Sequence, residues 1–425
     1  PISKGGKMPD SLFDIISNEE KRKKLVVYIN PPYAEATNAK TVTGTGENKG
    51  GVTTNFTIND VMKPKIGPAT DEIFALFMAI IYEKIPGSIL GQFSKLKFVN
   101  GSNFKKFKEF FLAEYVSGFI VPGDTFDNVK GKFPIGFTIW NTAQKTKFDV
   151  VKTDVFDKNG NYQNTKNFYG ELPKNVNGWI KIYDEKNIAG LTFMGNPSPD
   201  FQHNSQLYLS LTKGIEHFNF FNFTNNNLIA GIVYFSVRHC IEASWLNDRD
   251  QFLFPTDGWQ TDVEFQNDCL AFTLFHGQNR ITTKEGTNHW IPFTEYEVNA
   301  QAKLESSFMT DFIKGKIKPE STAATLFEED KNQENSPLVF SEEAQAVFDA
   351  GRELWKYYHA QKDVNVNASL YDIREHFQGR NDKGRMNTKS DDATYMNLIG
   401  TLRSKLAILA EKIQPKVYEY GFLKE

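Results

Sequence analysis

Hydrophobic and polar positions first divide the chain into short alternating elements. Ser11 to Lys24 is polar, reads as helix, and closes on the basic run Lys21, Arg22, Lys23 and Lys24. Leu25 to Ile29 is a short β-branched run, the length and composition of a buried strand. It halts at Asn30-Pro31-Pro32-Tyr33, because neither proline can donate to a sheet ladder. Residues 34 to 69 are rich in Gly, Thr, Asn and Lys without periodicity and predict a long loop, of the kind that is functional or disordered. Thr70 is placed to cap a helix over 70–84, with Ile73, Phe74, Phe77, Ile80 and Ile81 at helical spacing. Pro86-Gly87 then reads as a turn, Ser88 to Phe93 as a strand and Asn103 to Glu114 as a helix. Val116 to Val121 and Phe133 to Trp140 read as further strands. The alternation over 20–142 predicts an α/β fold, the second half of a parallel-dominated, doubly wound sheet.

Beyond Trp140 the pattern loosens. Turns are expected at Asn159-Gly160 and Asn177-Gly178, and an apolar stretch runs from Leu228 to Phe235. Ser341 to Gln361 and Ser390 to Gln414 are amphipathic helices, the first with Val347, Phe348, Leu354, Trp355 and Tyr358 on one side. Between them lies a polar segment carrying Arg374, Arg380, Lys383, Arg385 and Lys389. It reads either as a solvated linker or as a basic patch for DNA. Three regions follow: 1–145 as the α/β unit, 146–340 as a mixed α/β region, and 341–425 as a helical region. No internal repeat is visible.

Composition narrows the class. A chain of 425 residues has room for two or three domains, and 40% hydrophobic with 24% charged residues excludes a disordered chain. The formal net charge of −3 means that any nucleic-acid affinity must come from local patches. Cys240 and Cys269 form no disulfide framework, which suits a cytoplasmic location. No run of about 18 apolar residues is present, so no membrane partner is expected. His239, His276 and His289 lack ligand spacing, so no metal is expected either. The start at Pro1, without Met or signal pattern, reads as a chain cut from a longer one.

The chemistry concentrates at the end of the first strand. Ligands of open α/β sheets bind outside the carboxyl ends of the strands, which puts Asn30 in a functional location. The two prolines fix their own φ and push the preceding residue to extended backbone. Asn-Pro-Pro thus holds one amide side chain and one backbone carbonyl in fixed relation. Together they can accept two hydrogen bonds from a planar NH2 group, drawing it out of conjugation and freeing its lone pair to attack. Tyr33 adds a flat face for an aromatic substrate.

This run resembles the Asn-Pro-Pro-Tyr signature of the N6-adenine DNA methyltransferases, and the order of elements after it is similar to the catalytic half of the gamma-type enzymes of restriction–modification systems. The likeness covers about residues 20–145. Trp245 to Asp250 and Asn288 to Phe293 also look like recognition sequence from large bacterial restriction–modification proteins. The resemblance implies a partial Rossmann-like methyltransferase sheet followed by a mixed α/β target-recognition region and C-terminal helices. It implies that Asn30 and the Pro31 carbonyl hold the adenine amino group, that Pro32 stiffens the turn, and that Tyr33 stacks on a flipped base. Phe126 would supply the second aromatic face. Base–aromatic stacking of about 1–3 kcal/mol per base could offset much of the cost of flipping. The implied partner is double-stranded DNA, with a nuclease or specificity domain conceivable in the same parent protein. The implied cofactor is S-adenosylmethionine, whose glycine-rich strand–turn–helix the family places upstream. Only 29 residues precede Asn30, too few for it. Gly44 to Gly50 is read as a loop beside the target base rather than as a nucleotide fingerprint. Two alternatives stay open: an enzyme methylating a glutamine amide in a protein, and a non-catalytic DNA-recognition module.

Overall fold

The computed structural model describes residues 8–31, 57–126, 129, 133–170, 175–186, 188–195, 201–213, 220–317 and 336–425. The chain divides into two compact units. The first is Pro1–Lys174 with Ala243–Gln251 and Lys424–Glu425; the second is Asn175–Glu242 with Phe252–Leu423. These divisions fall elsewhere than residues 145 and 340.

In the first unit, helices α1 (Asp10–Ser17) and α2 (Glu19–Arg22) precede strand β1 (Val26–Ile29). Helix α3 (Thr57–Ile66) occupies the end of the stretch expected to be loop. Its low amphipathicity and internal Pro64 hide it from a periodicity reading. Helix α4 (Ile73–Lys84) begins later than expected. Thr70 does not cap it; it sits in a single 3-10 turn over Gly67–Asp71 and its Oγ1 donates to the Gly67 carbonyl at 2.9 Å. The buried residues of α4 are Phe74, Ala75, Leu76, Met78, Ala79 and Ile81, whereas Phe77 is exposed. Strand β2 (Ile89–Lys95) and the short helices α5 (Lys97–Asn100) and α6 (Lys105–Phe110) follow. The chain turns extended before the expected helix end, forming β3 (Ala113–Pro122), then β4 (Pro134–Lys145), β5 (Val150–Phe156) and β6 (Tyr162–Tyr169).

These strands form one sheet in the order β1-β2-β4-β3-β5-β6. β1 pairs parallel with β2, and β4 runs antiparallel to both β2 and β3, so β1, β2 and β3 are mutually parallel. β5 joins β3 parallel and closes a hairpin with β6. Its turn carries Gly160 at φ +83°, within the expected Asn159-Gly160 turn. The sheet is therefore mixed rather than parallel-dominated. It remains a partial Rossmann-like α/β sheet, with four parallel strands, β1, β2, β3 and β5, and helices between the first three.

Residues alternate between its faces. One face supplies Leu90, Ile120, Trp140, Val151 and Val155 to a core shared with Phe74, Phe98, Phe107 and Phe111 of the helical segments. Trp140 is fully buried there, with its ring 5.3 Å from Phe111, 5.8 Å from Phe98 and 4.9 Å from Phe148. The opposite face carries Val26 and Tyr28, both about two-thirds exposed, so β1 is not a fully buried strand.

The second unit holds α7 (Val176–Ile180), β7 (Thr192–Gly195), β8 (Leu209–Ser210), β9 (Phe220–Phe223), α8 (Leu228–His239), α9 (Val263–Phe275) and α10 (Phe308–Ile313). The C-terminal helices α11 (Glu342–His359), α12 (Leu370–Gln378) and α13 (Ala393–Glu419) follow. Asn177-Gly178 lies inside α7 rather than at a turn, with Asn175 as the cap that accepts from Gly178 N. The apolar run from Leu228 is helical because it is buried all round, against α9. α9 and α11 approach closely at Gly351, where a Cβ would come within 2.3 Å of the Phe275 ring. Val347, Phe348, Leu354, Trp355 and Tyr358 are all buried on that side. Among the described residues no helix is long and apolar enough to cross a membrane.

Trp140→Ala removes the ring that joins Phe98, Phe111 and Phe148 to the sheet. We expect the first unit to lose about 3–5 kcal/mol, read from the urea midpoint of unfolding at unchanged slope. A loss below about 1 kcal/mol would contradict this packing.

Candidate functional site

Asn30 follows β1 directly and is exposed, and Pro31 is buried. Pro32, Tyr33 and the Gly44–Gly50 run lie outside the described residues. Because β1, β2 and β3 are mutually parallel, their carboxyl ends emerge on one edge of the sheet. Ile29 is the register partner of Gln92, so Asn30 continues β1 alongside Phe93. Phe126 closes the 3-10 turn Gly123–Thr125 that follows β3; its N–H donates to the Gly123 carbonyl at 3.2 Å. The half-buried Phe126 ring meets the Phe93 ring edge-on, with centroids 5.4 Å apart. Phe93 thus stands between the position of Asn30 and the ring of Phe126.

Sequence reading missed the aromatic surface behind these residues. Phe93, Phe137 and Phe119 are direct register partners across β2, β4 and β3. Phe137 lies 4.8 Å from Phe93 and 5.5 Å from Phe119, with Tyr28 5.8 Å from it on β1. Gly91 makes room: a Cβ there would come within 2.8 Å of the Phe137 ring tip. A glycine inside the strand Ile89–Lys95, two residues before Phe93, is the signal that marks this close approach.

Trp245 to Asp250 belongs to the first unit and is structural. Trp245 and Leu246 pack on its core, and the Asn100 amide donates to the Arg249 carbonyl at 2.7 Å. Lys166 Nζ donates to Asp250 Oδ2 at 2.8 Å, yet burial pushes the Asp250 carboxyl up to about 6 against the pull of that lysine. Asn288 to Phe293 is likewise scaffold in the second unit: Trp290, Ile291 and Phe293 are core, and the Asn288 amide donates to the Asn367 carbonyl at 3.1 Å.

The basic segment is not a linker throughout. Arg374 lies on α12, half-buried, and its Nη1 donates to the Gly277 carbonyl at 3.1 Å. Arg380 pairs with Glu375, with Nη2 at 3.0 Å from Oε2, which holds that carboxyl down at about 2. Lys383 and Arg385 are exposed in the turn after it. Close to Arg374, the rings of His239 and His276 stack with centroids 4.4 Å apart. Desolvation, with the charge of Arg374, lowers His276 to about 4.

Among the described residues no group of three or more His, Cys, Asp or Glu side chains could hold a metal. Nor does a glycine-rich turn feed a helix there: β2 runs into α5 through Leu96, and β3 into the short 3-10 turn.

No family model matches the chain, and no curated protein matches it. A solved structure described as "ATP-dependent Type ISP restriction-modification enzyme LlaBIII bound to DNA" is similar over 48% of this chain and 16% of that one, at 12% identity and a TM-score of 0.25. A likeness of this size assigns no function, and the matched part is a small fraction of that protein.

A depressed histidine carries a signed pH dependence. Below about 6.5 the unfolded chain binds a proton on His276 that the folded chain refuses until about 4. Its contribution is fully present above pH 6.5 and is lost as pH falls towards 4. The loss is at most about 3 kcal/mol. His276→Gln should flatten this acid slope in urea unfolding between about pH 7 and pH 4.5. The difference from wild type isolates it from Asp250, whose raised value works in the opposite direction. Identical slopes would refute the assignment.

Proposed function

We propose that this chain is the catalytic and DNA-facing part of an S-adenosylmethionine-dependent N6-adenine DNA methyltransferase of a restriction–modification system. The observation that supports the reading is Asn30-Pro31 at the carboxyl end of the first of four mutually parallel strands, alongside Phe93, whose ring meets that of Phe126. Asn30 Oδ1 and the Pro31 carbonyl accept from the adenine amino group. These two bonds favour a tetrahedral nitrogen, whose lone pair is then available as a nucleophile. The adenine would reach them only when flipped from the duplex, where Phe126 and Tyr33 offer aromatic faces. The cofactor would supply the methyl group, and the family places the motifs that hold it upstream of Asn-Pro-Pro-Tyr.

Asn30→Ala removes an acceptor that matters most as the nitrogen changes geometry, so turnover should fall far more than DNA affinity. The protein is expressed from its complete native reading frame, and N6-methyladenine is mapped on a plasmid without assuming a target sequence. Methylation by wild type and its loss by at least about a hundredfold in Asn30→Ala are expected. Near-normal methylation by the variant would remove Asn30 from the mechanism. Unmethylated plasmid with wild type that still binds DNA would favour the non-catalytic recognition module. For the 425-residue chain alone, calorimetry should show S-adenosylmethionine binding no tighter than about millimolar, worth roughly 4 kcal/mol. Micromolar binding would overturn the placement of the cofactor.

A further inference from the structure

Each of the six strands of the first unit sets one aromatic ring on the sheet face opposite the Trp140 core. In sheet order these are Tyr28, Phe93, Phe137, Phe119, Phe156 and Tyr162. Neighbouring rings follow one another across the strands: Phe93 to Phe137 at 4.8 Å, Phe137 to Phe119 at 5.5 Å, Phe119 to Phe156 at 5.9 Å and Phe156 to Tyr162 at 5.8 Å. Tyr28 closes the other end, 5.8 Å from Phe137 and 6.3 Å from Phe93. These contacts are tilted or edge-on and none is stacked, so the rings do not use up their faces on one another. Both ends of the row are open, with Tyr28 66% and Tyr162 57% exposed, and the four rings between them are half-buried. The row passes the candidate site, because Asn30 continues β1 alongside Phe93 and the Phe126 ring lies 5.4 Å from that of Phe93. On the same face, β3, β5 and β6 carry the exposed Ser117, Lys152, Asp154 and Thr165, the last two as register partners.

We propose that this row is a stacking surface for unpaired nucleotides beside the target adenine, so that the chain binds single-stranded DNA in preference to duplex. The proposal rests on the adenine-methylating reading above and names the form of DNA that the site takes. Bases of a duplex rise by about 3.4 Å along each strand, and their faces are covered by their neighbours. Ring centroids 4.8 to 5.9 Å apart do not match that rise. Only an extended, unstacked strand can lay successive bases on them. Every base has a π-face, so such stacking holds a strand without reading its sequence. A protein packed on this face would strip water from Ser117, Lys152, Asp154 and Thr165, whereas a nucleic-acid strand meets such groups with phosphate, sugar and bridging water. Tyrosines suit the two ends, since each can cover its ring and keep its hydroxyl wet. Asp154 shares the face with Lys152, so stacking rather than charge carries the affinity.

The test is fluorescence anisotropy of the purified full chain with one mixed-sequence oligonucleotide, offered as a single strand and as a duplex. The single strand should bind at least about tenfold more tightly. Tyr28→Ala and Tyr162→Ala should each weaken single-strand binding by about five- to a hundredfold, with the slope of log K against log salt unchanged. Both side chains are exposed, and an unchanged urea midpoint certifies that each variant is folded. Tyr162→Phe keeps the ring and should keep the affinity. Tyr296→Ala, at an exposed tyrosine of the second unit, should change nothing. Equal affinity for single strand and duplex, or folded alanine variants that bind like wild type, would overturn the row and leave the Asn30 assay standing. Plasmid without N6-methyladenine, while Tyr28 and Tyr162 still support single-strand binding, would remove the methyltransferase reading and keep the row. Self-association lost in Tyr28→Ala, with no single-strand binding, would overturn the proposal in favour of a second copy of the chain. Tighter binding of the same sequence as RNA would overturn the assignment to DNA.

Discussion

The reversed strand β4 is the constraint on which the first unit depends. It is laddered to β2 from Ile89 to Lys95 and to β3 from Ala113 to Pro122, antiparallel on both sides. Two reversals restore direction, so β1, β2 and β3 share polarity and release their chains on one edge. That edge is where Asn30, the end of β2 and the turn before Phe126 must gather. A register slip of one residue in β4 would carry Trp140 to the aromatic face and Phe137 to the helical one, undoing both surfaces.

The two faces of this sheet solve different problems. The helical face is closed around Trp140 and a run of Phe rings, with Gln92 donating from Nε2 to the Phe74 carbonyl at 3.1 Å. A buried amide without that acceptor would cost about 1–3 kcal/mol. The other face holds a row of aromatics, from the exposed Tyr28 to the half-buried Phe93, Phe137 and Phe119. Their tilted and edge-on contacts are arrangements that ring quadrupoles favour. Gly91 is the device that lets Phe137 lie down between its neighbours.

In the second unit, charge rather than apolar area distinguishes one surface from another. Lys412 is gathered by Glu264, Asp268 and Glu343, and Lys416 by Asp262 and Glu419, so the end of α13 is electrically closed. Arg280 and Arg374 are buttressed by carbonyls, an amide and an aromatic ring instead. Neutral partners position a cation without cancelling it. The stacked His239 and His276 nearby remain uncharged at neutral pH, since desolvation and neighbouring positive charge both disfavour protonation.

Elements with strong local codes were legible in the sequence by themselves. β-branched runs between turn residues located β1 through β4 to within a few residues. Amphipathic spacing after Ser341 and after Ser390 located α11 and α13. Asn30-Pro31 was legible as the end of a strand because proline ends a ladder by covalent structure alone. What the sequence could not determine is set by partners distant along the chain. The direction of β4 depends on two neighbours at once, and α3 is helical through packing rather than periodicity. Trp245 to Asp250 and Asn288 to Phe293 resemble recognition motifs in sequence, yet Trp245, Leu246, Trp290, Ile291 and Phe293 pack on the cores, Asp250 pairs with Lys166 and Asn288 donates to the Asn367 carbonyl. The same holds for the basic residues. In sequence Arg374 and Arg380 are equivalent charges; in the structure Glu375 neutralises Arg380, while Arg374 donates to the Gly277 carbonyl. Charge compensation acts through space over a few ångströms, and only the tertiary fold decides which charges come that close.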